Sequence, residues 1–184
     1  MSLNNPKSSV QKVIGLVKDN ANSHIRLNAN GGNSILIICD PVRELEYIEV
    51  INALMTNDKY RIIDLNELFC EFVTANKSEI EDSFELLKGS IHQIFKTPDG
   101  EEGPDLFGLI IKIIADSLKD NKIPVLINTG TLYGSGIDNI HIMENELIMK
   151  ASLPLIVLYP ATKDNDKIMF LNSRPASKYR CMIV

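Results

Sequence analysis

Three stretches of this chain are apolar at nearly every position: "SILIICDP" (34–41), "IPVLIN" (123–128) and "LPLIVLY" (153–159). A strand with one wet face alternates polar and apolar residues; these do not. Such runs suit strands buried on both faces, the condition of a parallel sheet covered by helices on either side. Ile62 and Ile63 end a further short strand, and segments of helical periodicity lie between the strands. The pattern therefore predicts an α/β fold: three layers, a mostly parallel sheet with helices on both faces. Residues 1–33 read as an N-terminal helix and an Asn- and Gly-rich loop, and residues 34–184 as a single domain.

The helices are marked by their starts. Val10, Val13, Ile14 and Val17 have i, i+3, i+4, i+7 spacing and predict a first helix, and residues 19–34 then read as a loop. Asp40 before Pro41 is an N-cap followed by a residue whose missing N–H costs nothing, so a helix is expected over 41–57. Asp64 with Glu67, and Ser78 with Glu81, have capping-box spacing. The second box opens a helix carrying Ile80, Phe84, Leu87, Ile91 and Ile94 on one face. Residues 96–105 read as a loop. The helix over 105–118 has almost no polar stripe, and helices of that kind are buried on several sides or lie in interfaces. Phe107 and Ile111 are its candidate interface residues, with cover by the first helix and its loop as the rival reading. One helix is expected in "DNIHIMENELIMKA" (138–151). "KDND" (163–166) reads as a turn, with strands in "KIMFLN" and "KYRCMIV" on either side of the last loop.

"TGTLYGSG" (129–136), between a strand and a helix, stands where α/β proteins hold phosphate. A Walker A loop needs G-x-x-x-x-G-K-[ST], its lysine reaching the β/γ-phosphates. Here the glycines are Gly130, Gly134 and Gly136, and the next lysine is Lys150, beyond a helix. The G-x-G-x-x-G spacing of a dinucleotide site also fails. The loop reads as a flexible connection, with Asp138 or Asn139 as the next N-cap. The first βα turn, "CDPVRE", has no glycine, and the Asp40 carboxylate is offered to the amides a phosphate would use. The fold is thus P-loop- or Rossmann-like without either motif, and no cofactor is expected.

The C-terminal edge of a parallel sheet is the usual ligand crevice. Strand ends there bring Asp40, Asp64, Asn128, Thr129 and Tyr159 together, with Tyr133 nearby, as the candidate ligand or partner surface. Two carboxylates with amide and hydroxyl oxygens suit Mg²⁺, which makes a Mg²⁺-dependent hydrolase or nuclease at Asp40 and Asp64 one alternative. A small-molecule or nucleotide sensor using the 129–136 loop is another. Both aspartates equally suit helix caps. His24, His92 and His141 have no metal-ligand spacing, and no serine sits in a nucleophile elbow. His141 and Glu144 read as a surface pair. No catalytic set emerges.

Asp and Glu number 24 against 19 Lys and Arg, a net charge of −5. With no basic cluster, direct nucleic-acid binding is not expected. No run is long enough to span a membrane, and the N-terminus has no apolar secretory core. Cys39, Cys70 and Cys181 read as three buried thiols, which fits a reducing cytoplasm.

The order of "IICDPVRELEY", "RIIDLNELF", "NTGTLYG", "VLYPA", "KIMFL" and a terminal "YR" before apolar residues resembles the BrxB family, the small component of BREX phage-exclusion systems in bacteria. The likeness runs over about residues 35–184. It differs at Gly134, Ser135 and Gly136, where the family tends to place proline and a basic residue, and at Ala161, where it favours glycine. The resemblance implies a non-catalytic partner of larger BREX proteins, notably PglZ, in a host-defence assembly. Self-association through the same apolar surface is a further expectation.

Overall fold

Successive residues of the apolar strands point to opposite sides of one sheet, and each side has its own core. The computed structural model describes residues 5–18, 22–90, 92–97, 103–164, 167–176 and 179–184. Its strands are β1 (Ser34–Cys39), β2 (Tyr60–Asp64), β3 (Ile123–Ile127), β4 (Leu155–Asp164), β5 (Lys167–Phe170), β6 (Arg174–Pro175) and β7 (Met182–Ile183). The order is β2-β3-β4-β1-β7, parallel throughout; β5 joins β4 and β6 in antiparallel pairs. Ile35, Ile37, Cys39, Ile156 and Leu158 lie in one core, and Leu36, Leu155, Val157 and Tyr159 in the other. This period-2 division is why the runs carry no polar positions.

The first face is covered by α1 (Pro6–Lys18) and α3 (Glu44–Leu54). Val10, Val13 and Val17 pack there with Tyr47 and Ile51, so the N-terminal helix belongs to the core of the domain. The second face takes α4 (Leu65–Ala75) and α7 (Leu106–Lys119). Leu106, Ile110 and Ile114 turn inward at i, i+4, i+8, and burying each contributes about 1.5–3 kcal/mol. The expected three-layer α/β architecture is present.

Several local expectations are corrected. Within 19–34, residues 19–21 lie outside the described residues, but Asn22–Asn28 form a helix, α2. Ile25 is fully buried beneath it, and that burial outweighs an Asn-rich composition. The helix expected over 41–57 is a 3₁₀ turn, Pro41–Arg43, followed by α3 ending at Leu54. The one expected from Ser78 is two helices, α5 (Lys77–Leu86) and α6 (His92–Phe95). Ser78 lies within the first turn of α5 rather than capping it, and Ile91 is outside the described residues. Phe84 is exposed, so that face is not a core face along its length. Residues 98–102 of the expected 96–105 loop, residues 165–166 of the expected turn and residues 177–178 are also outside the described residues. "DNIHIMENELIMKA" forms two short helices, α8 (Asn139–Met143) and α9 (Glu146–Lys150), because Asn145 leaves helical geometry and accepts from Leu147 N at 3.0 Å as a new N-cap. Among its described residues, "KYRCMIV" contributes only the two-residue β7.

One buried side chain ties these layers together. Asn33 Nδ2 lies 3.0 Å from the carbonyl oxygens of Ile148, Ala151 and Leu153, joining the start of β1 to the chain entering β4.

Candidate functional site

The strand order places a crevice between β1 and β4. The chain leaving β1 crosses to β2 at the far edge, whereas the chain leaving β4 ends at β7 on the other side of β1. Neighbouring strands whose connections depart in opposite directions define the usual ligand crevice of an open α/β sheet. Here β1 pairs with β4 and β7, not with β2 as in the dinucleotide fold. Moreover β4 does not stop at the edge. Beyond Pro160 it runs on, pairing Ala161 with Phe170 and Thr162 with Met169.

At the end of β1, Asp40 Oδ1 accepts from Val42 N at 3.1 Å and caps the 3₁₀ turn. At the end of β2, Asp64 Oδ1 accepts from Asn66 N at 2.8 Å and Glu67 N at 3.3 Å, capping α4. Asn128, at the end of β3, reaches both Asp64 oxygens at 2.9 Å. The structure therefore brings Asp64 and Asn128 together but not Asp40 and Asp64. Two strands lie between their strands, and three strand spacings of ~4.8 Å put them about 14 Å apart, too far to share an ion. Among the described residues no three His, Cys, Asp or Glu side chains are grouped to hold a metal.

Thr129 and Tyr159 are not on a surface. Thr129 is buried, its Oγ1 donating to Leu158 O at 2.8 Å. Tyr159 is 1% exposed. Its ring stacks on Phe170 with centroids 4.7 Å apart, and its hydroxyl lies 2.6 Å from that of Tyr179. Burial pushes the Tyr159 phenol well above its ordinary range. Of Thr129 and Tyr133, the two residues of the 129–136 loop expected at the site, only Tyr133 is open to solvent.

The glycine loop is structured by the protein itself. Thr129–Leu132 form a 3₁₀ turn, and Leu132 and Ser135 are buried. Ser135 Oγ donates to Leu132 O at 2.7 Å and accepts from Ile137 N at 3.2 Å. Each glycine has a conformational or packing reason. Gly134 and Gly136 have φ of +87° and +81°, the region that favours glycine. At Gly130 a Cβ would meet Leu171 Cδ2 at 3.2 Å. The loop is an ordered connection rather than the flexible one expected. Asp138 is the N-cap residue of α8, as read. His141 and Glu144 do not form the expected pair with each other: His141 Nδ1 accepts from Asp138 N at 3.3 Å, and Glu144 takes Arg180 at 3.1 Å.

Glu44 is the residue that the pattern missed. It stands in the first turn of α3, where a carboxylate normally faces water and the helix dipole. Instead its Oε1 is buried and makes no hydrogen bond. Loss of solvent first, and the Asp64 charge second, push its carboxyl up to about 7. No local signal in "DPVRELEY" announces this; it follows from the layer the side chain enters.

Phe107 and Ile111 are half-buried and pack against the second core, to which α4 and α6 bring Phe69, Phe72 and Phe95. Lys96 Nζ lies 4.8 Å above the Phe107 ring. The expected cover, α1 and the segment after it, sits on the opposite face. Neither residue is the open patch. The most exposed large apolar side chains near the crevice are Val42 (85%) and Leu45 (67%), after β1, and Tyr133 (55%), after β3. Cys39 and Cys181 are buried, and burial pushes the Cys181 thiol up to about 12; Cys70 is exposed, contrary to expectation. No helix among the described residues is long and apolar enough to cross a membrane.

No protein family, curated protein or solved structure matches the chain.

Proposed function

We propose that this chain is a non-catalytic, protein-binding component of a BREX-like bacterial phage-defence complex, working in the cytoplasm with a PglZ-like partner. One observation supports the binding role most directly. At the edge where α/β proteins hold ligands, the polar strand-end groups are bonded within the chain, while Val42, Leu45 and Tyr133 stand open. Exposed apolar side chains at a crevice favour a protein surface as the occupant. The defence assignment rests on the likeness to the BrxB family.

The hydrolase alternative needs Asp40 and Asp64 at one ion, and they are separated by two strands. The sensor alternative needs space in a loop that its own Ser135 and Leu132 and the nearby Leu171 fill.

The test is co-purification from the native operon, with mass spectrometry of what is retained. Wild type should retain a PglZ-like protein. The double variant Val42→Glu/Leu45→Glu should lose it while melting like the parent, since charge placed in a hot spot costs more than ~2 kcal/mol of binding. A wild type that retains no BREX protein would refute the defence reading; full retention by the variant would move the surface elsewhere.

A further inference from the structure

A small cavity lies where the C-terminal segment crosses the sheet edge. Its volume is about 10 Å³, and its walls include Asp138, Asn139, Tyr159, Phe170, Arg174 and Tyr179. Asn139 is 4% exposed, and its Oδ1 has no hydrogen-bond partner. The Tyr159 and Tyr179 hydroxyls lie 2.6 Å apart. Two hydroxyls sharing one hydrogen bond use one of their two protons, so the second needs another acceptor. The cavity wall thus offers an O–H seeking an acceptor and a carbonyl oxygen seeking a donor, with no direct bond between them.

A molecule bridging these groups must both donate and accept, and must be small. An ammonium ion has donors only and leaves the hydroxyl proton unmatched. An apolar guest leaves both groups unmatched, at about 1–3 kcal/mol each. A single water fits the volume and the pairing, and buried waters normally have two to four polar partners. The neighbouring Asp138 carboxylate, whose Oδ1 takes Arg174 at 2.6 Å, is available as a third.

We infer that this cavity is a structural water site, in which one water accepts from the tyrosine hydroxyl pair and donates to Asn139 Oδ1. It joins three parts of the chain distant in sequence: β4, the start of α8 and the C-terminal segment. The outer ties of that segment are the half-exposed pairs Arg174–Asp138 and Arg180–Glu144, and exposed pairs contribute little. The inner water-centred contact therefore adds to the β7–β1 pairing that sets the segment's register.

A crystal structure of the full chain at about 1.5 Å resolution tests this directly. A density peak within roughly 2.6–3.2 Å of both Asn139 Oδ1 and a tyrosine hydroxyl is expected. No peak there, or one that does not touch Asn139, overturns the site. In solution, the wild type should give a long-lived water cross-relaxation signal to the Asn139 side-chain amide. Tyr179→Phe, which keeps the ring, should lose most of it. An unchanged signal in a folded variant would overturn the tyrosine contact.

Discussion

Asn128 Nδ2 spans the carboxylate of Asp64, 2.9 Å from each oxygen, and so locks the ends of two neighbouring strands together. Asn128 does this from a left-handed backbone, φ 55°. Asp64 serves this amide and the first turn of α4 at once. Asp64→Ala should cost about 1–2 kcal/mol in denaturant unfolding, near the top of the range for a lost cap. Asp40→Ala, which loses a single bond at a short 3₁₀ turn, should cost about 0.5–1 kcal/mol. Equal losses at the two positions would contradict this account. Asn128→Gly should be milder than Asn128→Ala by about 1 kcal/mol, because only the alanine keeps the left-handed penalty.

Gly130 and Leu171 form a second coupled pair. Leu171 itself has φ 50°, and Asn172 φ 56°, in the tight turn between β5 and β6. Two positive φ values suit a type I′ hairpin turn, although leucine is a poor occupant. Its side chain lies over Gly130, and its N–H donates to Pro160 O at 2.9 Å, which holds it there. Gly130→Ala should cost about 1–3 kcal/mol as an overpacking change. In the double variant with Leu171→Ala the loss should be smaller than the sum by roughly 1 kcal/mol. Additive unfolding energies would show that the two sites do not touch in solution.

Glu44 should give the stability curve a pH dependence of unusual sign. Its folded-state pKa, about 7, lies above the ordinary 4.5, so the folded protein holds the proton more tightly than the unfolded chain. The contribution is most favourable at and below about pH 4.5 and is lost as pH rises through about 7. Glu44→Gln should therefore raise stability more at pH 8 than at pH 5. Chemical melts at the two pH values check this, and an equal effect at both would rule out a raised carboxyl.

Phe107 and Ile111 should behave as core residues. Phe107→Glu and Ile111→Glu place a charge against the second core and should lower stability, by roughly 2 kcal/mol or more, as expected for an unpaired charge in a packed site. Val42→Glu should leave the melt within about 0.5 kcal/mol of the parent. The contrast separates a fold defect from a lost binding surface.

The features readable in the sequence were those set by short spans. The buried runs of β1, β3 and β4 needed only their own composition, and the caps Asp40 and Asp64 only the next few residues. Features that depend on distant chain were not readable. Asp64 meets Asn128 across 64 positions, and Asn33 meets Ile148 across 115. Strand order decided that Asp40 and Asp64 stand apart and that Tyr159 lies under the β4–β5 hairpin. The surroundings of Phe107 have the same origin: a helix apolar all round announces several neighbours, but not which elements they are. Ile25 could have flagged α2, since isolated apolar residues in Asn-rich loops need somewhere to go.

A side chain forty-one positions away bears on the choice of glycine at 130, where a Cβ would stand 3.2 Å from Leu171 Cδ2. Among related chains, positions 130 and 171 should then change together: alanine at the first should accompany a smaller residue at the second, whatever ligands those proteins do or do not bind. The pair would be inherited as one character. A search that weights loop glycines as a sign of phosphate would score this chain for a trait that belongs to its hairpin.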